Sequence, residues 1–528
     1  MKVQAVGRQK EANRVGAWRL STTLRSWLAT SSDPSGLAAF RILFGAIMTA
    51  ATLRFWLKGW IHDLYVAPTY HFTYLGFDWV RPWPEPLMYL HFLVMGFAAF
   101  TLMLGAATRL SAAVFFVGFT YVELLEKAAY LNHYYLVSLL ALLLVFVPTS
   151  EVASLESWWR SRRRHRVPDQ VFPRRGIHEA HCRAEASPRF TTRRWGYALL
   201  RSQVAMVYLF AGFAKLNHDW LFDAEPLATW LSAHTDLPLV GPFMESVYTA
   251  YAMSWAGAIY DLSIVFLLSW SRTRYWAYGV SIVFHCLVWW LFPIGVFSWV
   301  MLASATLFFD PSWPRRVLES LQHRLRAHRL RALKPSALHR SDPDGSALVL
   351  EPLEKQHFAP EKTRALGVGA TLAIGVYLLL QVLIPMRFAF FPGNVLWTEQ
   401  GFRFAWRVML IEKTGQLEYV VHADSKRYRI APRRELSAQQ ARMVATQPDM
   451  IHQYALRLAQ RYREAGASDV RVYAHSWASL NGRPHQRLVD PSVDLASYPR
   501  SFGAAAWLGA TPWIVPLKEP RLGSLPTM

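Results

Sequence analysis

The sequence predicts a polytopic α-helical membrane bundle of about nine spans, followed by a C-terminal extracytoplasmic α+β domain. Most apolar residues occur in blocks of roughly 20, the length that an α-helix needs to cross a hydrocarbon core. Of all residues, 53% are hydrophobic and 18% are charged, fewer charges than a soluble protein of this size normally carries. The apolar runs are continuous and do not alternate with polar residues, so helices rather than a closed barrel are predicted.

The positions of basic residues predict how the spans are oriented. We expect spans at 37–58, 87–106, 110–128, 133–149, 195–216, 250–269, 275–291, 294–309 and 365–386. Lys and Arg concentrate in the segments 1–35, 150–194, 270–274 and 310–364. The alternate loops are nearly free of them, since 59–86 holds only Arg81 and 217–249 holds none. Because positive loops mark the cytoplasmic side, the N-terminus is predicted inside and the C-terminal domain outside.

This orientation divides the chain into five parts. They are a cytoplasmic segment 1–35, a transmembrane catalytic bundle 36–310, a basic cytoplasmic linker 311–364, a last transmembrane helix 365–386 and an extracytoplasmic α+β domain 387–528. The first half of the linker has the composition of a basic amphipathic helix on the inner membrane surface. In the C-terminal domain we expect strands at 417–422, 427–431 and 470–480 and a helix at 448–465.

Composition argues against several classes of function. The net charge of +21 lies largely between spans and accompanies no nucleic-acid reading module, so no nucleic-acid partner is expected. Cys182 lies in a basic loop and Cys286 in an apolar span, so no disulfide is expected. The sequence has neither His-x-x-x-His nor Cys-x-x-Cys, and no metal is predicted.

Ionisable and polar residues inside apolar spans are the first candidates for a functional site, because burying them in a membrane is costly. Lys215 ends the fifth predicted span and could act as a base, although a lysine there could also be a snorkelling anchor. Tyr208 lies seven residues earlier, on the same helical face.

Further polar residues fall toward the same outer half of the bundle. Asn132 and His133 begin the fourth span, Lys127 ends the third, and His285 lies in the seventh. Asp261 is in the sixth span. A single buried histidine is more often a hydrogen-bonded residue of the bundle than a catalyst, but the convergence of these residues with Lys215 predicts one shared site.

Five stretches of the sequence resemble motifs of one known family. They are residues 36–45, 126–136, 211–220, 284–297 and 479–495. The second is similar to the motif Asp-Lys-x-x-Trp-Asn-Asn-His-x-Tyr-Leu, and the third to Ala-Gly-x-Lys-Lys-Leu-Asp-x-Asp-Trp. Their order, from about residue 36 to residue 517, resembles the vitamin K-dependent γ-glutamyl carboxylases and their bacterial relatives with the HTTM domain.

This resemblance implies a reaction and a set of site residues. The family carboxylates peptidyl glutamate with CO₂, using reduced vitamin K (phylloquinol or menaquinol) and O₂, and forms quinone epoxide. Lys215 matches the lysine base that deprotonates the quinol, and His133 matches the active-site histidine. Asn132 and His285 match pocket residues. We add Lys127, Tyr208 and Asp261 to the predicted substrate or quinol pocket. The implied partners are an exported Glu-containing protein or peptide and the quinone within membrane lipid.

The sequence departs from the animal enzymes at several motif positions. Leu131 replaces the first of two asparagines, Ala214 replaces the first of two lysines, and Phe388 replaces a histidine. The segment 287–290 is apolar instead of Met-Asn-Ser-Gln, and the paired extracytoplasmic cysteines are missing. Two alternatives therefore stay open: a quinol epoxidase or oxidase without peptide carboxylation, and a non-enzymatic transport or scaffold protein. The absence of cysteine pairs favours a bacterial inner membrane.

Overall fold

The apolar blocks of the sequence form helices. The computed structural model describes residues 22–164, 191–292, 294–332 and 365–508. The predictions about Cys182 and about the ends of the chain lie outside these residues. The helices of nine or more residues as far as residue 386 are α1 (Ser35–Leu57), α2 (Glu85–Leu104), α3 (Thr108–Leu125), α4 (Asn132–Phe146), α5 (Leu155–Arg164), α6 (Arg194–Lys215), α7 (Val247–Ser269), α8 (Arg274–Leu291), α9 (Phe297–Ala305), α10 (Trp313–Ala332) and α11 (Val368–Met386).

Six of these helices are long and apolar enough to cross a membrane, counted over the described ranges. They are α1, α2, α3, α6, α7 and α11. The predicted spans 133–149 and 294–309 correspond to the shorter apolar helices α4 and α9, and the span 275–291 corresponds to α8. The chain is therefore a helical membrane protein, and the number of nine spans stays a prediction.

Segments that the sequence assigns to the cytoplasmic side meet at one end of the bundle. A short antiparallel ladder joins Ser31–Ser32 to Thr192–Arg193. The amide of Gly36 donates a hydrogen bond to the carbonyl of Pro311 at 2.8 Å. The amphipathic helix expected in the linker begins there as α10. The C-terminal domain packs on the opposite end.

Arg41 ties the basic end together from inside the bundle. Its guanidinium is completely buried and donates to the carbonyls of Leu102 (2.8 Å), Met103 (2.9 Å) and Thr149 (3.2 Å), with a further bond to Ala153. Leu102 and Met103 lie in the last turn of α2, and Thr149 and Ala153 lie in the segment between α4 and α5. One side chain therefore joins the end of α2 to the segment between α4 and α5.

The C-terminal domain is a four-stranded antiparallel sheet with two helices. Its strands are β1 (Lys413–Ala423), β2 (Lys426–Ile430), β3 (Val470–Leu480) and β4 (Gln486–Val489), in the order β2-β1-β3-β4. The helices are α12 (Ala438–Val444) and α13 (Pro448–Glu464). β1 is longer than the prediction 417–422, because it pairs with β3 along its whole length, from Ala423↔Val470 to Lys413↔Leu480.

Polar contacts dock this domain onto the bundle. Glu126 accepts a hydrogen bond from Gln440 at 2.7 Å and also lies within 3.3 Å of His71. On the other side, Arg483 forms a two-pronged salt bridge with Asp219 at 2.7 and 2.8 Å. Fork-to-carboxylate pairs of this kind fix orientation as well as distance, so the domain is held in one position.

We predict that Arg41→Met lowers the free energy of unfolding by at least about 3 kcal/mol, because several buried carbonyls lose their donor. The measurement is thermal unfolding of the purified protein in detergent. Arg109→Met is the matched control, since Arg109 is exposed near the start of α3. Equal melting temperatures for the two variants would contradict this role of Arg41.

Candidate active site

A deeply buried ion pair joins α6 to α7. Lys215 Nζ lies 2.7 Å from Asp261 Oδ2, and each residue is 6% exposed. The Nζ atom also lies 5.1 Å from the centre of the Trp220 ring. Sequence reasoning selected Lys215 and Asp261 separately, and the structure brings them together. Their spacing of 46 positions on two different helices gave no local signal of this pairing.

A second set of hydrogen-bonding side chains, Tyr208, Tyr260 and His285, lies beside this pair. Tyr208 Oη lies 3.0 Å from His285 Nε2 and 3.4 Å from Tyr260 Oη. Ser298 Oγ donates to the His285 carbonyl at 2.9 Å, and His285 Nδ1 is buried without a partner. Together with Lys215 and Asp261, Tyr208 and His285 line a cavity of about 70 Å³, which we call the lysine cavity. It has room for about two water-sized molecules.

His133 and Asn132 lie in a different and larger space. They line a cavity of about 380 Å³, the histidine cavity, whose walls are mostly aromatic and aliphatic. His133 Nε2 is buried and has no hydrogen-bond partner. Arg54 and Glu123 also line this cavity, and the sequence analysis missed both. Each is an ionisable residue within an apolar span, which is the signal that could have found them.

The two cavities share one wall. Phe297, Val408 and Met409 line both of them. The Phe297 ring centre lies 5.8 Å from that of His133 and 5.9 Å from that of His285. The structure therefore places six of the seven predicted site residues in two adjoining cavities, with the Phe297 ring between the two histidines.

The loop that completes this wall has a strained backbone. Phe404, Trp406 and Met409 have φ angles of 61°, 54° and 59°, in the left-handed region that non-glycine residues seldom adopt. Such conformations cost on the order of 1–3 kcal/mol each and persist only where surrounding contacts hold them. No local pattern in the sequence indicates this loop, because its hydrogen bonds run to residues about 275 positions away in the chain.

Asn132 makes one of the contacts that stabilise this loop in its strained conformation. Its Nδ2 donates to the carbonyl of Arg407 at 3.1 Å, and its Oδ1 accepts from Tyr130 Oη at 2.9 Å. Tyr130 Oη in turn accepts from the Phe404 amide at 2.6 Å. Asn132 therefore anchors the loop and retains one N–H for a ligand.

Lys127 lies outside both bundle cavities. It is 4% exposed at the junction with the C-terminal domain, where its Nζ contacts Asp449 Oδ2 and Gln453 Oε1, each at 2.8 Å. Burial lowers the pKa of Lys127 to about 8, although the nearby Asp449 carboxylate opposes this shift. Lys127 lines a third space, of about 800 Å³, which we call the junction cavity.

One group of residues has the composition of a metal site. His218, Asp219 and Asp223 present ligand atoms within 4.8 Å of one another. The guanidinium of Arg483 already lies against both carboxylates, at 2.7 Å from Asp219 and 3.9 Å from Asp223. This single cation offsets one of the two negative charges, and the group is part of the contact that docks the C-terminal domain.

The departures from the animal enzymes fall in different environments. Leu287, Trp289 and Trp290 are exposed on the outside of α8, whereas Val288 is buried against the lysine cavity. Phe388 stacks under the guanidinium of Arg407, which lies 4.1 Å from its ring centre. Most of the apolar segment 287–290 therefore does not face the cavities.

Family models match most of the chain. The HTTM domain matches residues 30–171 and 181–313, which is more than half of the sequence. The lumenal domain of the vitamin K-dependent gamma-carboxylases matches residues 369–519. The chain belongs to the vitamin K-dependent γ-carboxylase family. The resemblance read from the sequence motifs is thereby confirmed. No solved structure shows a significant match to this carboxylase-family chain.

We predict that Asp261→Asn destabilises the protein by about 3–5 kcal/mol, because it leaves the Lys215 ammonium buried without its anion. The double variant Lys215→Met/Asp261→Asn should recover most of that loss. Thermal unfolding of the single and double variants gives the coupling free energy. Simple additivity of the two substitutions would mean that the 2.7 Å contact contributes no stability.

Proposed function

We propose that this family member catalyses vitamin K-dependent carboxylation of peptidyl glutamate to γ-carboxyglutamate, coupled to epoxidation of the quinol with O₂ and addition of CO₂. Family membership indicates a vitamin K-dependent carboxylase function. The observation that carries the finer proposal is the buried Lys215–Asp261 pair next to an apolar cavity large enough for a quinone ring.

The histidine cavity suits the ring of reduced vitamin K, either phylloquinol or menaquinol. Its volume of about 380 Å³ is within the usual range for ligand pockets, and its walls are mostly apolar. The remaining N–H of Asn132 would hydrogen-bond a quinone oxygen, which leaves the unpartnered Nε2 of His133 for the carboxylation half of the reaction. The lysine cavity is too small for the ring, at about 70 Å³.

The reduced quinone supplies, with O₂, the strong base that removal of a glutamate γ-proton requires. Only the neutral amine of Lys215 can act as the base, so its ammonium would first give a proton to the Asp261 carboxylate, 2.7 Å away. The amine would then accept the proton of a quinol hydroxyl, while Asp261 holds Nζ in position. The surrounding rings of Trp220 and Phe297 exclude water, which would otherwise quench a strong base.

Phe297 must turn aside before Lys215 can reach the ring in the histidine cavity. Its phenyl group lies between the two cavities, and Lys215 lines only the smaller one among the described residues. We propose that rotation of this side chain joins the cavities when the quinol binds. His133 would then serve the carboxylation half of the reaction from the opposite side.

A quinol epoxidase without carboxylation is the second candidate. The observation in its favour is that Leu131, which lines the histidine cavity, is apolar where the animal enzymes have an asparagine. On the Lys215 side, Ala214 replaces the first of two lysines, but Ala214 does not line the lysine cavity.

We propose an exported Glu-containing protein as the substrate and a bacterial inner membrane as the location. The N-terminus would be cytoplasmic and the C-terminal domain extracytoplasmic. The gathering of basic segments at the end of the bundle opposite the C-terminal domain supports this orientation.

We expect the detergent-purified protein to incorporate ¹⁴CO₂ into a Glu-containing peptide and to form quinone epoxide, with both products lost in Lys215→Ala. Phylloquinol and menaquinol should be tested in parallel. Epoxide without label would establish the second candidate. If neither product forms with either quinol, the enzymatic proposal is wrong and a transport or scaffold function is favoured.

A different outcome is expected for His133→Ala. Epoxide formation should remain while ¹⁴CO₂ incorporation falls by about 100-fold, because the histidine acts in the carboxylation half and not on the quinol. The ratio of the two products in one reaction is the measurement. Parallel loss of both products would assign His133 to the quinol half instead.

A further inference from the structure

The junction cavity is larger than the two bundle cavities, and the proposed chemistry does not use it. Of the predicted site residues, Lys127 alone lines it. The cavity has a volume of about 800 Å³ and lies between the bundle and the C-terminal domain. Its wall comes from the segments 74–77, 387–391, 398–404, 448–452 and 498–508, together with Leu124 and Lys127. A space of this size admits several residues of an extended peptide.

Cations outnumber carboxylates in the wall. The cations are Lys127, Arg387, Arg403 and Arg500, and the carboxylates are Asp449 and Glu399. Glu399 forms a salt bridge with Lys413 at 3.1 Å, so its negative charge is already largely offset by a cation outside the wall. Asp449 is shared between Lys127 and Arg403, each at 2.8 Å.

Two of the arginines, Arg387 and Arg500, have no carboxylate of the wall as a salt-bridge partner among the described residues. Arg387 donates to the carbonyls of Ile384 and Arg403, and no carboxylate contacts it among the described residues. Arg500 donates to the Thr73 carbonyl at 2.9 Å and pairs with Asp78, which is half-exposed at the rim. A concave wall with excess positive charge concentrates anions, because its low-dielectric surroundings focus the field.

The loop 404–409 contributes residues to the junction cavity and to both bundle cavities. Phe404 lines the junction cavity, whereas Val408 and Met409, a few residues further along, line both bundle cavities. A chain segment seated in the junction cavity therefore lies one loop away from the histidine and lysine cavities.

We propose that the junction cavity binds acidic side chains of the peptide substrate, neighbours of the glutamate that reacts, and so presents that glutamate to the bundle. This inference rests on the proposed function. The ligand chemistry is a peptide with several carboxylates, since a single small anion would fill only a minor part of the space.

The test uses two variants of equal size at an exposed position of the wall. Ala504 lines the cavity and is exposed, so Ala504→Glu and Ala504→Gln differ in charge alone. The probe is a fluorescent Glu-rich peptide, and its binding to the full-length protein is followed by anisotropy without quinol. We expect binding about five- to tenfold weaker in Ala504→Glu than in Ala504→Gln, because one added negative charge opposes the carboxylates of the peptide.

Two controls distinguish the effect of a charge in the junction cavity from the effect of the overall charge of the protein and of the peptide. The same peptide with Gln in place of every Glu should bind both variants equally. Arg429→Gln removes a positive charge from an exposed part of β2 and should leave binding of the acidic peptide unchanged. Equal dissociation constants for Ala504→Glu and Ala504→Gln would overturn the proposal, and so would an equal loss of binding in Arg429→Gln.

Failure of this inference is distinguishable from failure of the proposed function. Charge-dependent binding in the Ala504 pair, without label incorporation by the wild type, would keep the junction cavity as a carboxylate site and reject the carboxylase. Incorporation by the wild type, with the same KM for the peptide in both Ala504 variants, would keep the carboxylase and reject this cavity as its peptide site.

Discussion

The ion pair between Lys215 and Asp261 is the constraint on which the arrangement of the bundle depends. Two opposite charges buried at the level of a membrane are stable only when they are held at contact distance and shielded from water. α6 and α7 provide the contact, and Trp220 covers it. Trp220 is itself fixed by a hydrogen bond from its ring nitrogen to the Ser254 carbonyl at 2.7 Å. The same shielding is what chemistry with a strong base requires.

The C-terminal domain extends this shielding beyond the bundle. Asp219, next to Trp220 in the chain, is held by Arg483 from the turn after β3. Asn481, in the same turn, donates to Asp219 at 2.9 Å and to the carbonyl of Leu410. The turn thus contacts both the segment that covers Lys215 and the end of the strained loop. The position of the domain and the shape of the buried site are therefore coupled through a few charge-assisted hydrogen bonds.

The strained loop organises the remaining space into three cavities. Its left-handed residues let one short segment present Phe404 to the junction cavity and Met409 to the bundle. Backbone conformations of this kind are retained where function benefits from the geometry, and Asn132 and Tyr130 supply the bonds that hold it. This gives Asn132, which the sequence marked only as a possible ligand of the quinone, a structural task as well.

The sequence by itself determined the helical segments, the family and the types of residue in the site. Apolar blocks of span length can form only helices in lipid, and Val470–Leu480 matches its predicted strand, because these features depend on local periodicity. Only the tertiary structure decided that Lys215 pairs with Asp261, that Phe297 separates Lys215 from His133, and that Lys127 belongs to the junction. Those outcomes depend on which faces of distant helices meet and on a loop whose conformation is imposed by residues far away in the chain. No spacing within the sequence records such contacts.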